Sequence, residues 1–227
     1  MKTTVSIYAS IAAALLLVPG CALASGASGM PSVPHSSQQA RSPEQQAVEL
    51  YNEGISYRDK AERLEKEAAA AADAKKKEKL ERQALDRHES SIKKFIQATE
   101  KNPRLFQAWG SLGYAYRRTG KYADALAAYD KALALEQGYT PAIEYRAEAF
   151  LALNRLDDVR SAYMTLFRMD RARADELSAA IEKWVEKKRA EPGSLDPAAF
   201  EGFASWAAER KRIAAQTSSL LAPPPRW

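Results

Sequence analysis

Cysteine and histidine are nearly absent: the 227 residues hold one cysteine, Cys21, and two histidines, His35 and His88. A single thiol closes no internal disulfide, so the fold must hold by packing. Two histidines far apart offer no paired-imidazole spacing for a metal. Glycine-rich phosphate loops, a nucleophile elbow and a calcium-binding loop are missing as well. Aromatic residues make up 9% and β-branched residues are scarce, which argues against a sheet. The one long apolar run, Ile7 to Val18, is too short to span a bilayer. The expectation is therefore no enzyme, no cofactor and no metal.

Ala, Glu, Lys, Arg and Leu dominate, with 46% apolar and 28% charged residues. That balance favours helices around a packed core. The formal charge is +5, too small and too mixed in sign to argue for nucleic acid.

Residues 1–24 read as a secretory signal peptide. Lys2 is the positive start, Ile7 to Val18 the apolar stretch, and Pro19-Gly20 breaks it. Two processing sites compete. Ala22-Leu23-Ala24 before Ser25 suits ordinary signal peptidase, whereas Val18-Pro19-Gly20-Cys21 resembles the lipobox of bacterial lipoproteins and would lipidate Cys21. A retained N-terminal anchor helix is the third reading. Residues 25–43, rich in Ser, Gly, Pro and Gln, read as a disordered linker. Ser42-Pro43-Glu44-Gln45 then carries the pattern of a helix start: an N-cap hydroxyl, proline at the first position and a capping-box glutamine.

Beyond it the chain repeats with a period of 34 residues. Trp109 pairs with Ile143, Gly113 with Ala147, and Tyr116 with Phe150. Likewise Ala125 pairs with Val159, Tyr129 with Tyr163, and Ala132 with Leu166. Stepping back one period gives His88, Ser91, Phe95 and Ala98 for an earlier second helix. Small residues recur where helices touch closely and large ones where they fill the gaps.

The motif Trp109, Leu112-Gly113, Tyr116, Ala125, Tyr129, Ala132, with Gly120 ending the first helix, resembles the tetratricopeptide repeat. Residues 106–139 meet nearly the whole pattern, with Gln137 where proline is usual. Residues 140–173 meet it more loosely: Arg146 replaces leucine, and Val159 and Leu166 replace small residues. Residues 44–105 read as a divergent first hairpin. Gly54 and Tyr57 match the first-helix positions, but Gly54 lies 25 residues before the place that the period dictates. Both helices of this hairpin are expected to be lengthened by about 12 residues, roughly 18 Å each, with the turn near Ala72-Asp73-Ala74. One unbroken helix from Glu44 to Lys101 is the alternative. Residues 174–217 read as two C-terminal capping helices. One carries Leu177, Ile181, Trp184 and Val185; the other starts at Asp196-Pro197 and carries Phe200, Phe203, Trp206, Ala207 and Ile213. Residues 218–227 read as a disordered tail. The expected fold is all-α: a solenoid of antiparallel helix hairpins, about three repeats long, with an elongated first hairpin and capping helices.

Similarity to the tetratricopeptide family implies a concave groove lined by first helices. It places there Tyr51, Ile55 and Arg58, then Gln107, Ser111, Tyr114, Arg117 and Arg118, and finally Glu144, Tyr145 and Glu148. Tyrosine and arginine suit binding hot spots, and Arg117-Arg118 suit a carboxylate. The competing reading is that Tyr51 and Tyr114 pack on neighbouring repeats. The family's carboxylate clamp for chaperone C-termini is not matched, since Tyr51, Ile55, Ser111, Pro141 and Tyr145 occupy its key positions. His88 reads as a packing residue between Leu85 and Ile92. The lysines Lys75, Lys76, Lys77 and Lys79 read as a solvated hairpin tip or as a contact for an anionic partner. The expected function is a periplasmic adaptor or assembly factor that holds a protein or peptide segment. The alternative is an outer-membrane lipoprotein within an envelope assembly such as a pilus or secretion complex.

Overall fold

The computed structural model describes residues 41–193 and 195–221. The signal-peptide reading, both processing sites with Cys21, most of the linker and the last six residues of the tail lie outside them. Eight helices follow one another: α1 (Pro43–Ala70), α2 (Ala74–Lys101), α3 (Phe106–Arg118), α4 (Tyr122–Leu135), α5 (Thr140–Ala152), α6 (Leu156–Met169), α7 (Arg171–Ala190) and α8 (Pro197–Leu221). The described residues hold no strand.

The start of α1 follows from its sequence. Ser42 Oγ accepts from the Gln45 amide at 3.2 Å, and Gln45 Oε1 accepts from the Ser42 amide at 3.0 Å. These reciprocal bonds satisfy two amides that the helix itself leaves free. The two long helices are separate. Residues 71–73 form the turn, and Asp73 Oδ1 caps α2 by accepting from the Lys76 amide at 2.7 Å. The aspartate is the local signal for that turn.

Along the hairpin α1 buries Ala47, Gly54, Ala61 and Ala68, one small residue every seventh position. Such a stripe lets two helices approach closely over several turns. Opposite it α2 buries Leu80, Ala84, His88, Ser91, Phe95 and Ala98. The outer half of this hairpin forms an arm, because α1 runs on from Gly54 to Ala70 whereas α3 stops at Arg118, soon after Gly113.

The next two hairpins are short and alike. Gly120 takes a positive φ of 76° between α3 and α4, and Asn154, one period later, takes φ 56° between α5 and α6. The Lys121 amide donates to Tyr116 O and the Arg155 amide to Phe150 O, both at 2.9 Å. Left-handed residues thus close both turns in the same way. Equivalent positions are equivalently buried: Phe95, Tyr129 and Tyr163 are each at most 1% exposed. Each helix packs on the next, and α1 on α3, α3 on α5 and α5 on α7 form an inner row. At the far end Leu177, Ile181 and Val185 of α7 are buried. Phe203 of α8 stacks on Trp206, and Trp206 meets Tyr163 of α6 edge-on. These two helices cover the hydrophobic end of the last repeat.

Candidate functional site: the concave groove

The inner row of helices lines two adjoining cavities of about 310 and 640 Å³. Small residues make the depression. Gly110 lies so close to Tyr139 that a β-carbon there would come within 2.6 Å of the ring, and Ser111 beside it is 6% exposed. Tyr114 and Tyr145 form the wall between the cavities, edge to face with centroids 5.1 Å apart.

Of the residues expected in the groove, Arg58, Ser111, Tyr114, Arg117, Arg118, Glu144, Tyr145 and Glu148 line these cavities. Tyr51, Ile55 and Gln107 line neither. Tyr51 leans on Phe95 at 5.9 Å, and both Tyr51 and Ile55 pack on the cluster around Ile92, Phe95 and Leu112. For Tyr51 the packing alternative therefore describes the contacts.

The arginines differ from expectation. Arg117 and Arg118 already hold carboxylates of the chain itself. Arg117 pairs with Glu148 of α5, and its guanidinium lies over both Tyr114 and Tyr145 at 5.2 and 5.4 Å. Arg118 pairs with Glu65 of α1. Arg173 of α7 pairs with Glu144 of α5, and Arg58 binds Asp59 at 2.9 Å and Glu62 at 3.5 Å on its own helix. Arginine–glutamate pairs thus link α1 to α3, α3 to α5 and α5 to α7 across the concave face. Periodicity revealed none of these partners, because they join helices whose relative rotation becomes known only on folding.

Burial and neighbours set the protonation of these groups. Burial raises the Glu144 carboxyl; the Arg173 hydrogen bond and charge pull it down, and Glu148 and Glu176 push it up, leaving it above its ordinary value. Burial raises the Tyr114 phenol, and nearby Glu62 adds to the rise. Tyr139, at the same end as Arg58, is pushed up to about 12, chiefly by burial. At neutral pH both tyrosines therefore present neutral hydroxyls.

Several lining residues were not foreseen. Glu62 comes from the arm, Asp170 from the residue just before α7, and Arg173 and Glu176 from α7 itself. That helix acts as a cap and also as a fourth inner helix. Asp170 was its legible signal: it caps α7 through the Arg173 amide at 3.2 Å and accepts from Thr140 Oγ1 at 2.9 Å.

His88 is buried, as a packing residue should be, and it also has a polar partner: its Nε2 lies 2.9 Å from Glu65 Oε1. Leu85, expected beside it on an apolar face, is 45% exposed at the rim of a cavity of about 600 Å³ between the arm and Arg118. The lysine group Lys75, Lys76, Lys77 and Lys79 is exposed at the start of α2, with Lys77 4.0 Å from Glu81.

The fold and groove define a class, the helical-hairpin solenoid. Residues 106–139 match the family model of the tetratricopeptide repeat, so the chain carries at least one such repeat. No curated protein matches the chain by sequence. Among solved structures the chain is similar to the first tetratricopeptide domain of the human RPAP3 protein, at 18% identity over 62% of this chain and 96% of that one, with a TM-score of 0.45. It is also similar to the first such domain of Spaghetti (RPAP3) bound to the HSP90 peptide SRMEEVD, at 20% identity over 56% of this chain and 94% of that one, with a TM-score of 0.39. Likenesses at this level say nothing about a ligand of this chain.

Proposed function

We propose that this chain is a non-enzymatic protein-interaction module, an adaptor or assembly factor that holds an extended peptide or protein segment in its concave groove. The observation that carries the reading is the pair of adjoining cavities, walled by Tyr114 and Tyr145, the smaller of them lined also by Gly110 and Ser111. Together they offer aromatic area, a low floor for a backbone and fixed polar groups. The test places a photoreactive phenylalanine analogue at Tyr145 of the full chain and irradiates it with a randomised peptide library. Cross-links to peptide are expected at that site. Their absence, with the helical spectrum unchanged, removes the groove from the function.

The place of action is proposed as the bacterial periplasm, on the leader-like residues 1–24 with Ala22-Leu23-Ala24 at their end. The second reading, an outer-membrane lipoprotein in an envelope assembly, rests on Cys21 following Val18-Pro19-Gly20. Intact mass of the protein from a bacterial host separates them: a start at Ser25 supports the first, an acylated Cys21 the second, and an uncleaved N-terminus contradicts both.

A further inference from the structure

We propose that the smaller cavity of the groove takes an uncharged carboxamide, the side chain of an asparagine or glutamine in the bound segment, and that the Ser111 hydroxyl is the group that binds it. The proposal rests on the groove reading and names the chemistry of its occupant.

Three observations meet there. First, Ser111 has a hydroxyl to spare. Of the three buried serines and threonines among the described residues, Ser91 donates to His88 O at 2.7 Å and Thr99 to Ile96 O at 2.8 Å. That is how a hydroxyl inside a helix ordinarily finds a partner. Ser111 is only 6% exposed, its hydroxyl bonds to no described residue, and it lines the smaller cavity. A hydroxyl left unpaired at such a depth costs stability, and alanine would serve the α3 helix better. Second, the charges around the cavity are taken. The two guanidinium groups that line it are each held by two carboxylates: Arg58 by Asp59 and Glu62, and Arg173 by Glu144 and by Asp170 at 3.7 Å. An incoming carboxylate has to displace a partner already in place, and an incoming cation lies against two guanidinium groups. An uncharged ligand group meets neither obstacle. Third, size and walls select among uncharged groups. At about 310 Å³ the cavity is far larger than a serine or threonine side chain, and the rings of Tyr114, Tyr139 and Tyr145 line it together with Pro141, which suits a flat group. A hydrocarbon side chain would seal in the Ser111 hydroxyl without a partner, whereas a carboxamide offers it both an acceptor and donors.

The test uses the full chain, unmodified for retention and with the photoreactive group at Tyr145 for cross-linking, and four synthetic pools of labelled nonapeptides. The pools differ only at the central position, which carries Asn or Gln, Asp or Glu, Lys or Arg, or Leu or Met. The carboxamide pool is expected to be retained about fivefold over each of the others and to cross-link at residue 145. Ser111→Ala should lower its retention about fivefold, to the level of the Leu or Met pool, with the melting temperature unchanged or raised. Ser111→Cys, which keeps the side-chain volume but donates only weakly, should do the same. A melting temperature lowered by Ser111→Ala would show that the hydroxyl holds the fold and would overturn its assignment to a ligand. Equal retention of the Leu or Met pool that falls with Ser111→Ala gives the hydroxyl to the backbone amides of the segment and overturns the side-chain assignment. A charged pool retained equally or better overturns the choice of an uncharged group. Cross-linking at residue 145 with retention that ignores both Ser111 variants overturns the assigned hydroxyl, and in each of these cases the groove reading stands. No retention and no cross-link with any pool overturns this proposal and the groove reading together.

Discussion

Gly54 of α1 lies directly against the ring of Phe95 in α2, so that a β-carbon at position 54 would overlap the ring. One unit later Gly113 stands in the same relation to Tyr129, where a β-carbon would come within 2.7 Å of Cδ1 and Cε1. The longer connection between Gly54 and Phe95 extends the hairpin outward and leaves the crossing of the two helices as it is in the second unit.

Overpacking these crossings should therefore destabilise both units. Gly54→Val or Gly113→Val forces an aromatic ring that is fully buried to move, at about 3 kcal/mol, a drop of roughly 6–10 °C in melting temperature. Gly202→Ala in α8 is the control. A β-carbon there meets nothing within 4 Å, and the change should stabilise by about 0.5–1 kcal/mol. Thermal unfolding followed by circular dichroism checks all three. Unchanged melting in either valine variant contradicts the close crossing at that site.

The repeat frame was legible because packing imposes it: the positions of Phe95, Tyr129 and Tyr163 are the largest sites between paired helices, and each recurs at a fixed step. The fourth inner helix was less legible. Residues Ala174, Leu177 and Ile181 bury a stripe that any capping helix would share, and only the fold shows that Arg173 and Glu176 face the groove. The ion pairs were not legible at all. Arg117 and Glu148 lie 31 positions apart, and neither is marked among many residues of the same type.

The two turn residues should behave differently. Gly120 at φ 76° has no side chain to strain, and Gly120→Ala should cost about 1 kcal/mol. Asn154 at φ 56° already bears such a strain, so Asn154→Gly should be neutral or slightly stabilising. Chemical denaturation of the two variants in parallel checks this. An equal cost for both would contradict the shared turn geometry.

Acid should loosen the arm before the repeats. Burial raises the Glu65 carboxyl, but hydrogen bonds from His88 and Arg118 and the charge of Arg118 lower it more, leaving it below its ordinary 4.5. A carboxylate whose folded pKa is depressed adds stability above its unfolded pKa, and that stability is lost as pH falls through the folded value. Amide protection factors between Arg58 and His88, taken relative to the intrinsic exchange rate at each pH, should thus fall below about pH 4.5 while those of residues 106–169 are kept. Glu65→Gln should raise exchange in the arm at neutral pH and flatten its pH dependence. A wild-type arm with the same protection factors at pH 6 and below pH 4 would show that Glu65 does not fasten it to α3.

The pair formed by Arg117 and Glu148 tests what the ion pairs contribute. The Arg117 side chain is 12% exposed and that of Glu148 24%, so each is costly to leave alone. Glu148→Ala strands a guanidinium between Tyr114 and Tyr145 and should cost about 3 kcal/mol. Arg117→Met with Glu148→Leu removes both charges, keeps most of the volume, and should cost about 1 kcal/mol or less. A double-mutant cycle by urea denaturation, completed by Glu148→Leu and Arg117→Met singly, measures the coupling. Coupling near zero would mean that the pair orients the groove without holding its helices together. A double variant as unstable as Glu148→Ala would mean that tyrosine packing around the guanidinium, and not its charge, holds α3 to α5.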